Sequence, residues 1–174
     1  MSARGATEVH RNEESTSKGG PATILLATDD SRGSELAART AAEYSRTFGS
    51  RLYLAHVMPV SSFSSGFDPD AGDTLTIYDE DAEHARDLLG KLVRQLEEEN
   101  VIVEKTELRT GEPGIEIVAL AEEIVADLIV VGSRGAGGLK RAPMGSVSES
   151  IVRHAHSTVL VVRDQESTSD GKEA

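Results

Sequence analysis

Glycines at 132, 135 and 145, with Ser146 directly behind the last of them, are the residues of this chain whose types and spacing could do chemistry. The segment Gly132-Ser133-Arg134-Gly135-Ala136-Gly137-Gly138-Leu139-Lys140-Arg141-Ala142-Pro143-Met144-Gly145-Ser146 follows a short apolar run and opens a stretch of helical character. A helix N-terminus leaves its first N–H groups unpaired and carries a partial positive charge, so phosphate is a natural guest there. Glycine lets the backbone come close to such a ligand and adopt a positive φ where the turn demands it. Ser146 is placed either to cap the helix or to donate its hydroxyl to a phosphate, and Glu149 three residues on would complete a capping box. Ser-x-x-Glu is also an ordinary helix start, and glycine-rich connections often bind nothing. On the residues alone, the segment reads as a phosphate cradle or as a plain strand-to-helix connection.

Other phosphate signatures are missing. There is no G-x-x-x-x-G-K-[ST], and no strand-adjacent G-x-G-x-x-G with its downstream acid; Gly135-Ala136-Gly137-Gly138 is a fragment that the following residues do not complete. His154 and His156 stand two apart at a helix end, where a metal site would need further ligands that the sequence does not place. They read as a helix-terminal cation and a surface histidine. His56 lies within a strand pattern and reads as a core residue with its own partner rather than as a base. Asp29-Asp30 could hold Mg²⁺ through a bound triphosphate, or Asp30 could cap the first helix. The Glu97-Glu98-Glu99 run is a solvated face.

The elements that must position the glycines alternate in type. Ala22 to Ala27 is a continuous apolar run, as expected of a strand buried on both faces. A helix from about Ser34 to Phe48 sets Ala37, Ala41, Tyr44 and Phe48 on one stripe and stops at Gly49. Arg51 to Val57 is a second strand. Met58 to Thr76 is rich in Ser, Gly, Asp and Pro and reads as a mobile loop. The helix from about Tyr78 to Glu99 buries Ala85, Leu88, Leu89, Leu92 and Leu96. Val101 to Arg109 is a third strand, followed by a helix carrying Ile117, Leu120, Ala121 and Ile124. Leu128 to Val131 is a fourth strand, Ser146 to about His154 the last helix, and Val159 to Val162 the last strand. Five strands separated by four helical segments specify an α/β fold with a parallel sheet and right-handed crossovers. The expected organisation is a leader over 1–20, one folded domain over 21–164 and an acidic tail over 165–174.

Composition narrows the function classes. At 174 residues the chain has room for one sizeable core and no comfortable second one. A net charge of −12 opposes a nucleic-acid partner, which needs a basic face to release counterions. Aromatics make up 3% of residues, too few for a base-stacking surface. There is no cysteine, so neither a disulfide framework nor a thiolate metal site is possible. No apolar run reaches membrane-spanning length and no signal-like segment stands at the N-terminus, so no membrane partner and a cytoplasmic location are expected.

Gly132-x-x-Gly135, nine residues, then Gly145-Ser146 resembles the G-x2-G-x9-G-[ST] loop of the ATP-binding branch of the universal stress protein family. The likeness extends through Ile24-Leu25-Leu26-Ala27-Thr28-Asp29, Leu54-Ala55-His56-Val57, Ala126 to Gly132, Gly145-Ser146-Val147-Ser148-Glu149 and Val159 to Val162, in that order. It implies a Rossmann-like, doubly wound five-stranded parallel sheet, with strand order 3-2-1-4-5 and helices on both faces. It further implies that Asp29 bonds the adenine or ribose beside the backbone of Ala27 and Thr28, and that Val57 offers the base an apolar wall or a backbone contact. Val131 and Gly132 would line the ribose side. Gly135, Gly145, Ser146 and Val147 would hold the phosphates, with Arg134 nearby. Two departures stand out. Lys140 and Arg141 lie where the family often has aliphatic residues, and could meet phosphates or only solvent. Ser157-Thr158 replaces a common proline.

The resemblance thus implies an ATP-binding regulatory module of the stress response, homodimeric through its last strand, with Mg²⁺ entering if the triphosphate carries it. A slow ATPase or phosphotransferase, or a nucleotide-free interaction protein of the same fold, are the alternatives.

Overall fold

In the computed structural model, the residues described are 19–60, 74–135 and 144–163, with 74–79 described as backbone only. Among them five strands and four helices alternate: β1 (Thr23–Ala27), α1 (Arg32–Phe48), β2 (Arg51–Pro59), α2 (Thr74–Glu98), β3 (Val103–Gly111), α3 (Pro113–Glu123), β4 (Leu128–Gly132), α4 (Ser146–His154) and β5 (Thr158–Val162). All neighbouring strands are parallel, in the order β3-β2-β1-β4-β5. The expected fold class and strand order are those observed.

Burial explains the sheet. Every residue of β1 and of β4 is buried, because both of their faces are covered. On one face Ile24, Leu26, Leu52, Leu54 and Val130 meet Ala37, Ala38, Ala41 and Ala42 of α1 and Leu89 and Leu96 of α2. On the other, Leu25, Ala27, Ala55, Val57, Ile129 and Val131 meet Ile117, Leu120 and Ala121 of α3 and Ile151 of α4. The alanine stripe lets α1 lie close on the sheet. Asp127 then ties the bases of the two central strands: its carboxylate accepts from the N–H groups of Ala22 and Thr23, each at 2.9 Å, and its own N–H reaches the Thr23 carbonyl. Asp127→Ala leaves both donors without that acceptor and is expected to cost about 2 kcal/mol in a denaturant melt.

Several boundaries differ from expectation, each for a local reason. Ser31, not Asp30, caps α1: its hydroxyl accepts from the Ser34 N–H at 3.2 Å, and the helix starts at Arg32 rather than Ser34. Asp30 is instead the left-handed turn residue (φ 60°) that brings Ser31 to that position. β2 runs on to Pro59, pairing with β3 through Gly111, and α2 begins at Thr74, so both ends of the expected Met58–Thr76 loop are regular structure. Residues 61–73 lie outside the described residues. β3 begins at Val103 rather than Val101, because the Val101 N–H closes the end of α2 on the Leu96 carbonyl (2.9 Å). Of the expected leader only Gly19 and Gly20 are described, and the expected tail lies outside the described residues.

Candidate functional site

The polar ends of the central strands surround a cavity of about 560 Å³, within the range of small-ligand pockets. It sits where β1 leads to one side of the sheet and β4 to the other, as crevices do in doubly wound sheets. All eleven residues expected at a site border it. Ala27, Thr28 and Asp29 come from the end of β1, Val57 from β2, Val131, Gly132, Arg134 and Gly135 from the end of β4, and Gly145, Ser146 and Val147 from the start of α4.

Close backbone contacts set this geometry. A Cβ on Gly132 would stand 2.5 Å from the Gly33 carbonyl carbon, and one on Gly33 would collide with the Arg134 carbonyl oxygen. The first turn of α1 therefore rests directly on the end of β4. A Cβ on Gly135 would collide with an oxygen of the Asp29 carboxylate, so these two residues meet across the crevice. The other carboxylate oxygen of Asp29 accepts from the Ser31 N–H at 3.1 Å, which turns the chain from β1 into α1.

Gly145 is different. It needs no positive φ (−82°), and a Cβ there would meet nothing nearer than 3.6 Å. Its N–H binds the Ser133 carbonyl at 2.7 Å, while the Ser148 hydroxyl lies 3.0 Å from both the Ser133 and the Gly145 carbonyl oxygens. Gly145 is also the N-cap of α4 and has no side chain to satisfy the helix's first N–H groups. The neighbouring helices do have one. Ser31 caps α1, and the Glu112 carboxylate caps α3 through the N–H groups of Gly114 and Ile115.

The expected capping box is therefore absent. Ser146 is the first helical residue rather than the cap, and Glu149 pairs instead with Arg153 one turn on (2.7 Å). His56 has a partner as expected, the Thr28 carbonyl, but it is half-buried at the cavity rather than in the core. His154 bonds the Ser150 carbonyl and His156 lies 3.5 Å from Glu122, as a helix-end and a surface histidine. Among the described residues no group of three His, Cys, Asp or Glu is placed to hold a metal ion, and no helix is long and apolar enough to cross a membrane. Lys140 and Arg141 lie outside the described residues.

Sequence reasoning missed part of the wall. Ala55 shares a sheet face with Val57, so strand alternation alone could have found it. Pro113 and Ile117 enter from α3, whose approach over the crevice depends on helix packing that no local pattern encodes. Ser148 was visible only as a helix position.

The universal stress protein family model matches residues 22–163. A universal stress protein of Methanocaldococcus jannaschii is 37% identical over 140 residues, covering 80% of this chain and 81% of that protein. The solved structure of the universal stress protein UspA from Lactobacillus plantarum superposes with a TM-score of 0.71 at 26% identity, over 81% of this chain and 97% of that one. That of the Archaeoglobus fulgidus universal stress protein in complex with dAMP gives 0.59 at 27%, over 80% and 95%. With the crevice glycines, the strand order and the matched span in agreement, the chain belongs to the universal stress protein family.

Proposed function

We propose that this protein binds an adenine nucleotide, ATP by preference, as a homodimeric regulatory module of a cytoplasmic stress response. The observation that carries the reading is the start of α4 at Gly145, which no side chain among the described residues caps, which borders the cavity and where a Cβ would make only ordinary contacts, none nearer than 3.6 Å. Such a terminus offers N–H donors and a positive field to phosphate oxygens. Ser146, the first helical residue, also borders the cavity. Asp29, Val57, Val131 and Gly132 then face the nucleoside end, and the dAMP bound by the Archaeoglobus relative supports that class of ligand. Mg²⁺ would enter on the phosphates, for no cluster of three ligating side chains stands ready among the described residues.

Binding rather than turnover is favoured because the two titratable side chains nearest the nucleoside end already hold backbone groups: Asp29 the Ser31 N–H, and His56 the Thr28 carbonyl. The half-buried residues Val159 to Val162 of β5 form an outer edge of the sheet, and pairing with a second copy would cover that edge.

The test is calorimetric titration of the purified chain with AMP, ADP and ATP, with and without Mg²⁺, beside anion-exchange analysis of whatever nucleotide denaturation releases. Saturable binding of one nucleotide per chain is expected. At a hundredfold excess over Kd it should stabilise the fold by about 2.7 kcal/mol. No released nucleotide and no heat with any of the three would overturn the reading in favour of a nucleotide-free interaction protein. Sustained ATP turnover above that of a Gly145→Asp control would make the protein an enzyme. Sedimentation of the full chain at the mass of one copy would remove the dimer.

A further inference from the structure

We infer that His56 is a positioning residue of this site, its imidazole standing in for a rung of the sheet so that Asp29 is held toward the ligand. The inference rests on the nucleotide-binding reading above and deepens it.

β1 and β2 pair in register as far as Ala27 opposite Ala55, and the Thr28 N–H still reaches the Ala55 carbonyl at 2.9 Å. Beyond that rung the strands part. β2 continues to Pro59, while the chain from β1 turns away through Asp29, Asp30 and Ser31 into α1. The first carbonyl beyond β1, that of Thr28, goes to Nδ1 of His56 at 2.8 Å, and among the described residues no backbone N–H of β2 takes it. A carbonyl oxygen only accepts, so Nδ1 must carry the proton. The imidazole thus holds Thr28 where backbone pairing ends, on the residue directly before Asp29.

The tolerance at that point is small. One oxygen of the Asp29 carboxylate fills the space that a side chain at Gly135 would need, and the other holds the Ser31 N–H. A displacement of Thr28 by a few tenths of an ångström would move the carboxylate along the crevice or break the Asp29–Ser31 turn. With the two faces of the crevice built on separate strands, the imidazole is a second tie from β2 to Thr28, beyond the Ala55 rung, and it fixes the carbonyl side of the residue that leads into Asp29.

The experiment compares adenine-nucleotide affinity, measured with ATP, in three variants of the full chain. The amide of asparagine places an N–H where Nδ1 stands; that of glutamine places it near Nε2. His56→Gln should bind about tenfold more weakly, the effect of losing one part-buried hydrogen bond, and His56→Asn should restore most of that loss. Introduced into Asp29→Asn, His56→Gln should weaken binding little further, because its effect passes through the carboxylate. Nitrogen-15 NMR of the wild-type protein without ligand should show the Nδ1–H tautomer at His56, a readout that needs no variant to fold. The inference is overturned by wild-type affinity in His56→Gln, by equal losses in the Asn and Gln variants, by additive losses in the double variant, or by an Nε2–H tautomer. A wild-type protein that binds no nucleotide overturns the functional reading itself. Wild-type binding with an insensitive His56→Gln overturns only the role of the imidazole.

Discussion

Gly132→Ala should be severely damaging for the addition of a single methyl group. The new Cβ would stand 2.5 Å from the carbonyl carbon of Gly33 and 2.7 Å from its oxygen, and both of these are backbone, so no side chain can swing aside. Relief requires α1 to lift from the end of β4, the strand buried along its whole length. Overpacking of this kind costs about 3 kcal/mol, which for a chain of this size lowers Tm by roughly 6–12 °C. Because α1 begins just after Asp29 and Ser31, the same displacement should also weaken nucleotide binding. Thermal melts and titration of one preparation measure both effects. A variant that melts within a degree of wild type would show that α1 and β4 do not touch as described.

Gly145→Asp should do the reverse, with binding and stability moving in opposite directions. The backbone there (φ −82°, ψ 160°) suits any residue, and a Cβ has room. Aspartate is a better N-cap than glycine by a few tenths of a kcal/mol, and its charge complements the helix terminus. The unliganded variant should therefore melt slightly above wild type. Its carboxylate, however, would occupy the N–H groups offered to a phosphate and repel the phosphate as well, so affinity for ATP should fall by about two orders of magnitude or more. An unchanged Kd would remove phosphate from the start of α4. A large drop in Tm would show that Gly145 serves the fold instead.

These two glycines show how far the sequence could be read. Both stand in one legible motif with the spacing of a family loop, yet opposite constraints hold them there. Gly132 is excluded from carrying a side chain by Gly33, a residue 99 positions away that looks like filler at a helix start. A side chain at Gly145 would meet no clash within the described protein. No local pattern separates the two cases, because the difference lies in what approaches from another element. The buried strands were legible because burial on both faces leaves a continuous apolar run, as in Thr23–Ala27 and Leu128–Gly132. Helix starts were not. Asp29, Asp30 and Ser31 are all capable caps, and the choice of Ser31 depends on a left-handed turn at Asp30. At α4 the capping-box pattern misled, since the chain enters that helix through the Gly145–Ser133 hydrogen bond, one residue earlier than Ser146 would. The strand order came from family resemblance, for hydrophobic periodicity carries no information about which strands are neighbours.

The hydrogen bond from the Gly145 N–H to the Ser133 carbonyl, with the Ser148 hydroxyl beside it, closes the neck of the segment that departs from β4 and returns at α4. The Ser133 N–H is in turn held by the Val162 carbonyl at the end of β5. With its ends joined at that neck, the interval can change length at little expense to the scaffold, since each doubling of the length to be closed adds only about 0.6 kcal/mol. The nine-residue interval between Gly135 and Gly145 is therefore not something that folding demands. If that interval is kept while the surrounding sequence drifts, what keeps it is selection by the bound molecule, and lineages released from that molecule should lose the spacing before they lose the sheet.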